Sequence, residues 1–167
     1  MNDYTLGVAD ITEILRLLPH RNPFLLIDRV IDIRGDQHGI GIKNLTINEP
    51  FLAGSAENLV IPGVLVIEGM VQTAGVVALR SLPPTDHRRI AFFMGIDKAK
   101  FRKLAGPGDT LEYHVDKLAN RHKIWRYRGE AKVGEILVAE AEISLAQLNP
   151  TDTPEGLTRP AHGGQAA

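Results

Sequence analysis

Glu68 and Gln72 are the residues whose types and spacing could do chemistry. They lie four apart inside PGVLVIEGMVQTAGVVALR (62–80), where Thr73 is the one other polar side chain before the closing Arg80. Residues four apart on a helix share a face, so the amide can hold the carboxyl in one orientation. A positioned carboxyl can pass a proton to or from a substrate. Burying it is costly unless it is paired or hydrogen-bonded, which makes Glu68 a candidate site residue. The plainer alternative is a carboxylate that reaches out at a helix edge and does nothing.

The elements around this pair follow from pattern. The 19 residues of 62–80 span about 28 Å as a helix. Pro62 suits the first helical position, where a missing N–H costs nothing. Apolar residues on every side predict a helix buried all round, and Gly69, Ala74, Gly75 and Ala78 would let other backbone come close. Residues 10–18 form a short amphipathic helix, capped by Asp10 or Thr12 and ended by Pro19. Strands are expected at 24–33 and 38–47, paired as a hairpin through Gly35-Asp36. Residues 48–61 are a loop, and Leu82-Pro-Pro-Thr-Asp is a break. Further strands are expected at 89–97, 110–118, 122–133 and 135–148. Three of these put Leu111, Tyr113 and Val115, then Trp125, Tyr127, Ala131 and Val133, then Leu137, Ala139, Ala141, Ile143 and Leu145 each on one face. Such alternation means antiparallel strands with one wet face. About six antiparallel strands wrapped around one long apolar helix make an α+β hot-dog fold. One sheet covers only part of such a helix, so a dimer with two sheets joined edge to edge is expected.

Composition narrows the function. At 167 residues the chain is one domain, placed at 1–148, with a Pro- and Gly-rich tail at 149–167 expected to be disordered. A net charge of −1 gives no sign of nucleic-acid binding. The absence of Cys excludes disulfides, thiolate metal sites and a cysteine nucleophile, and suits a reducing, cytoplasmic compartment. The start MNDYTLGVAD is polar and acidic, unlike a secretory signal. Glu68, with Gly69 and Gly75 in the same apolar stretch, favours a core helix over a membrane span.

The segments LLPHRNPFLLIDRV (17–30), KNLTINEPF (43–51), PGVLVIEGMVQTAG (62–75), FFMGIDKAKFR (92–102), PGDTLEYHV (107–115) and VAEAEI (138–143) span nearly the whole chain. In that order they resemble the FabZ-type 3-hydroxyacyl-[acyl-carrier-protein] dehydratases. The resemblance implies a hot-dog homodimer, often a trimer of dimers, acting without a cofactor in fatty-acid elongation. Members remove water from a 3-hydroxyacyl thioester carried by acyl carrier protein. In the family a loop His takes the proton from the carbon beside the thioester carbonyl, and a helix carboxylate helps the hydroxyl leave. A backbone N–H at the helix start stabilises the carbonyl oxygen. Carried over, the carboxylate is Glu68, its amide partner Gln72 and the N–H that of Gly63.

The His does not carry over. The family loop reads GHFPG, a further Pro and then PGV, whereas this chain reads GSAENLVIPGV (54–64) with Ser55 in the His slot. A serine hydroxyl is no general base at neutral pH without a base beside it. His20 matches a family position and is read as structural. His38, His87, His114 and His122 fall in strands or turns away from the loop, and His162 is in the tail. Glu57 could supply a carboxylate base but reads better as a solvated loop acid. The resemblance also offers Phe92 or Phe93 as an aromatic gate on the acyl tunnel, with ordinary core as the alternative. An acidic carrier protein needs a basic docking patch. Lys98, Lys100, Arg102 and Lys103 form one cluster, and Arg121, Lys123, Arg126 and Arg128 another. Three roles fit these residues: a dehydratase with a substitute base, a non-catalytic acyl-thioester-binding protein, or one half of a heterodimer. In the family each site takes its His from one chain and its carboxylate from the other, so a His-bearing relative could complete a site with Glu68.

Overall fold

The computed structural model describes residues 7–55, 57–83 and 90–148. The expected tail with His162, residues 84–86 of the expected break, His87 and the first residue of the strand expected at 89–97 lie outside the described residues. The elements are β1 (Gly7–Ala9), α1 (Ile11–Leu17), β2 (Arg29–Arg34), β3 (His38–Asn44), α2 (Gly63–Arg80), β4 (Ile90–Phe101), β5 (Thr110–Arg121), β6 (Ile124–Val133) and β7 (Ile136–Leu148). The strands form one antiparallel sheet in the order β1-β2-β3-β5-β6-β7-β4. α2 packs against β2 through β7, which is the hot-dog architecture.

The period-2 pattern explains which face meets the helix. β5 buries Leu111, Tyr113 and Val115, and β6 buries Trp125, Tyr127, Gly129 and Ala131. Side chains between them point to the other face. The sheet has seven strands rather than about six, because three residues, Gly7–Ala9, pair with β2. Three residues are too few to show a period. Asp10 caps α1 by accepting a hydrogen bond from the Glu13 N–H at 2.9 Å. Leu18, before Pro19, is extended and ends that helix. Pro62 is the residue preceding the first helical one, not the first itself.

Burial of α2 follows the expectation from Val66 to Leu79 with one gap, Glu68. The first turn is open, and Val64 is 68% exposed. This helix is long and apolar enough to cross a membrane, yet 72% of it is buried inside the fold, so its hydropathy is spent on the core. Close approach to the sheet depends on missing side chains. A Cβ on Gly69 would lie 2.2 Å from Cζ of Tyr113, and one on Gly41 would lie 2.0 Å from Oγ1 of Thr73. The Tyr113 ring is fully buried and has nowhere to retreat.

Gly75, on the same helix, differs: its nearest obstacle is the flexible end of Leu18, 3.2 Å away. Gly69→Ala is therefore expected to cost about 2–3 kcal/mol through overpacking. Gly75→Ala should stay within about 1 kcal/mol of the unmodified chain. Urea unfolding of the two variants checks this; equal costs would contradict the packing account.

Candidate active site

Gln72 is 1% exposed and makes three hydrogen bonds. Its Oε1 accepts from the Leu26 N–H at 2.8 Å. Its Nε2 donates to the Phe24 carbonyl at 2.8 Å and to Glu68 Oε1 at 2.9 Å. The Leu26 N–H can meet only an acceptor, so the amide has one allowed orientation and its N–H must face Glu68. Residues 24–27 thus run along α2, with Phe24 and Leu26 bonded to a side chain instead of a neighbouring strand, and pairing with β3 starts at Asp28, whose N–H donates to the Ile42 carbonyl at 2.7 Å. This is why the strand expected at 24–33 begins only at Arg29. Phe24 in turn packs against Phe51, with ring centroids 5.1 Å apart and the planes tilted by 37°. That contact ties the loop preceding α2 to the same segment.

His20 completes this corner. Its Nε2 lies 3.4 Å from Glu68 Oε1, and its Nδ1 is buried with no hydrogen-bond partner among the described residues. The residues are 48 positions apart, so no local spacing could announce the contact. The available signal was a His three residues past the end of a helix, in a segment that must pass the start of the long one.

Gly63 opens α2, where the first N–H groups have no intrahelical partner. It sits against Phe101; a Cβ there would fall 2.6 Å from the ring. An apolar cavity of about 210 Å³ opens beside it, lined by Gly63, Val64, Val66, Phe101, Leu104 and Val138 among others. Glu68 is not part of that lining. Five residues along a helix turn by about 500°, leaving Gly63 and Glu68 about 140° apart around the axis. Within one chain the two groups face different directions.

Ser55 and Glu57 are both exposed. The loop closes on itself through an Asn58 N–H to Ser55 carbonyl bond of 2.9 Å and an Ala53–Val60 bridge. Phe93 packs against the core cluster. Its neighbour Phe92 is half-buried and precedes it, on the opposite face of β4.

The first basic cluster is largely neutralised. Lys98 pairs with Glu142 at 2.7 Å, Lys100 with Glu140 at 3.6 Å, and Arg102 hydrogen-bonds Glu140. Arg126 from the second cluster pairs with Glu142 at 2.8 Å and Asp97 at 3.7 Å. A shallow hollow over this lattice, lined by Lys98, Lys100, Arg128, Glu130, Glu140 and Glu142, is therefore an ion-pair surface. Lys103, Arg121 and Lys123 form no ion pair with a described residue. Hydrogen bonding to Arg102 holds the Glu140 carboxyl below its ordinary range, and Lys98 does the same for Glu142.

Two outcomes are expected. Gln72→Leu leaves the Leu26 N–H and the Phe24 carbonyl unpaired and should cost about 3 kcal/mol, read as a lower urea midpoint at unchanged slope. For the lattice, lowered carboxyl pKa values mean that the folded chain binds fewer protons there than the unfolded chain. The stabilisation is then present above the ordinary value of 4.5 and lost as pH falls through the lowered values. The thermal advantage of the unmodified chain over the Glu140→Gln/Glu142→Gln double variant should be largest near about pH 7 and vanish in acid. A gap that widens in acid would contradict it.

A FabA-like domain family matches residues 18–142. The 3-hydroxyacyl-[acyl-carrier-protein] dehydratase FabZ of Rhodopseudomonas palustris (strain BisB18) is 54% identical over 136 residues, covering 81% of this chain and 90% of that protein. The FabZ of Methylobacterium sp. (strain 4-46) is 54% identical over 140 residues, covering 83% and 85%. Among solved structures, the dehydratase heterocomplex ApeI:P from Xenorhabdus doucetiae superposes with a TM-score of 0.69 at 22% identity, over 83% of this chain and 92% of that one. Cj0977, a sigma28-regulated virulence protein of Campylobacter jejuni, gives 0.61 at 18% identity, over 81% and 95%. The two structures share the fold, while the two sequences share more than half of their aligned residues with this chain. The chain belongs to the FabA-like family, as a relative of its FabZ dehydratases.

Proposed function

We propose that this chain is a 3-hydroxyacyl-[acyl-carrier-protein] dehydratase of fatty-acid biosynthesis, converting a 3-hydroxyacyl thioester to the trans-2-enoyl thioester and water. The observation that carries this is Glu68. It is the one ionisable side chain between Val66 and Leu79 on a buried helix, and Gln72 aims it. Loss of the proton beside the thioester carbonyl puts negative charge on the carbonyl oxygen. The N–H of Gly63, at the positive end of α2 and without a hydrogen-bond partner among the described residues, is suited to receive that charge. The Glu68 carboxyl supplies the proton with which the hydroxyl departs.

Because Gly63 and Glu68 face different ways in one chain, the site needs two chains. β4 pairs with β7 alone and exposes Met94, Ile96 and Phe101. An edge-to-edge homodimer through β4 would cover these groups and bring Glu68 of one copy towards Gly63 of the other. Lys103, Arg121 and Lys123, which form no ion pair with a described residue, are suited to meet an acidic carrier protein. A cytoplasmic setting fits a chain without Cys.

Ser55 in the altered loop favours a second reading. A heterodimer with a His-bearing relative would use Glu68 from this chain and an imidazole from the other, while the site built on Ser55 stayed silent.

Hydration of a short enoyl thioester by the purified chain separates these. The dehydratase reading predicts measurable hydration that Glu68→Gln removes. An inactive chain that becomes active with Ser55→His would point to the heterodimer. No hydration by either would contradict the dehydratase assignment.

A further inference from the structure

We propose that His20 takes the α-carbon proton in this site, acting with Glu68 as an imidazole–carboxyl pair in place of the imidazole missing from the loop. This rests on the dehydratase reading above and adds the residue that accepts the proton.

Among the described residues four histidines could be considered, and three are engaged or remote. His38 is held between Asp116 at 2.7 Å and Asp32 at 3.4 Å on the β2–β3 side of the sheet. His114 contacts Glu112 at 3.1 Å on β5. His122 lies in the exposed β5–β6 turn. Only His20 faces Glu68.

Its surroundings suit a working ring. The His20 and Glu68 side chains are 33% and 30% exposed, so a substrate can reach both. The backbone on either side is fixed. Arg21 donates to the Leu18, His20 and Leu15 carbonyls at 2.8, 2.7 and 3.0 Å, and Gln72 holds Phe24 and Leu26. The ionisable groups whose contacts reach the ring or its carbonyl are Glu68 from α2 and Arg21 beside it in the chain. Nδ1 of His20 is buried with no hydrogen-bond partner among the described residues, so the ring is not tied into the fold by a hydrogen bond at that atom. At 3.4 Å the contact is also longer than a tight imidazolium–carboxylate bond of about 2.7–2.9 Å. Catalytic contacts are often loose before substrate binds.

The step balances within the pair. Bare Nε2 of His20 removes the proton from the carbon beside the thioester carbonyl. The protonated Glu68 carboxyl gives its proton to the 3-hydroxyl. The C–O bond breaks with its electron pair, water leaves and the C=C bond forms. Imidazolium then returns its proton to the Glu68 carboxylate, restoring the starting state. In the hydration direction each transfer is reversed.

The test uses the intact chain with the thioester crotonyl-N-acetylcysteamine, comparing unmodified protein with His20→Gln, His20→Ala and Ser55→His. Loss of about 10²–10⁴ in kcat/KM is expected for both His20 variants. Added imidazole should restore His20→Ala by about tenfold or more, since free base replaces a missing base but not a missing strut. His20→Gln keeps a polar side chain and leaves the Arg21 and Gln72 bonds untouched, so its thermal midpoint reports whether folding is preserved. His20→Gln activity within about threefold of the unmodified chain overturns the proposal, as does loss without imidazole rescue. An inactive unmodified chain with an active Ser55→His variant overturns it while leaving the family chemistry standing. If neither is active, both readings fall.

Discussion

A single amide bears on both the fold and the site. Gln72 is buried, and its two ends are saturated by backbone atoms of a segment 46 and 48 residues away and by Glu68. An unpaired amide in that place would cost several kcal/mol, so the segment and the carboxyl are held wherever the amide is satisfied. The orientation is dictated by the Leu26 N–H, which needs an oxygen. The N–H directed at Glu68 is the consequence. Through Phe24, which packs against Phe51, the same amide also ties this segment to the loop preceding α2.

The amide can do this only because α2 is rigidly enclosed. Glycines at 69 and 41 bring helix and sheet into contact that a methyl group would prevent, and close-packed interiors transmit such constraints. One sheet cannot close around both ends of the helix. The cavity at Gly63 and the exposed side chains of β4 mark where enclosure stops. The polar corner at Glu68 and the apolar mouth at Gly63 are separated by the turn of the helix itself.

Much of this was legible in the sequence, for reasons that also explain what was not. Glu68 and Gln72 stand out because helical geometry makes a spacing of four a contact. Tyr113, Tyr127 and Ile143 mark the inner face because strands alternate. Contacts set by the packing of distant segments leave no such trace. His20 reaches Glu68 across 48 positions, and Leu26 reaches Gln72 across 46. Residues 24–27 look like the start of a strand because they are an apolar run, but Phe24 and Leu26 are partnered by a side chain. The cations at 98, 100 and 102 look like a docking patch until the register of β4 on β7 sets them beside Glu140 and Glu142. Both glutamates lie on the wet face of an alternating strand, but which strand they would meet was not written in the spacing.

Amide hydrogen exchange at Leu26 in the unmodified chain tests the central claim most directly. Leu26 lies outside any ladder, yet its N–H is bonded to a buried side chain of α2. It should therefore exchange only when the whole domain opens, as slowly as the amides of Met70 and Tyr113. Exchange at the rate of an open loop would mean that Gln72 does not hold the segment, and the account of how Glu68 is aimed would fail with it.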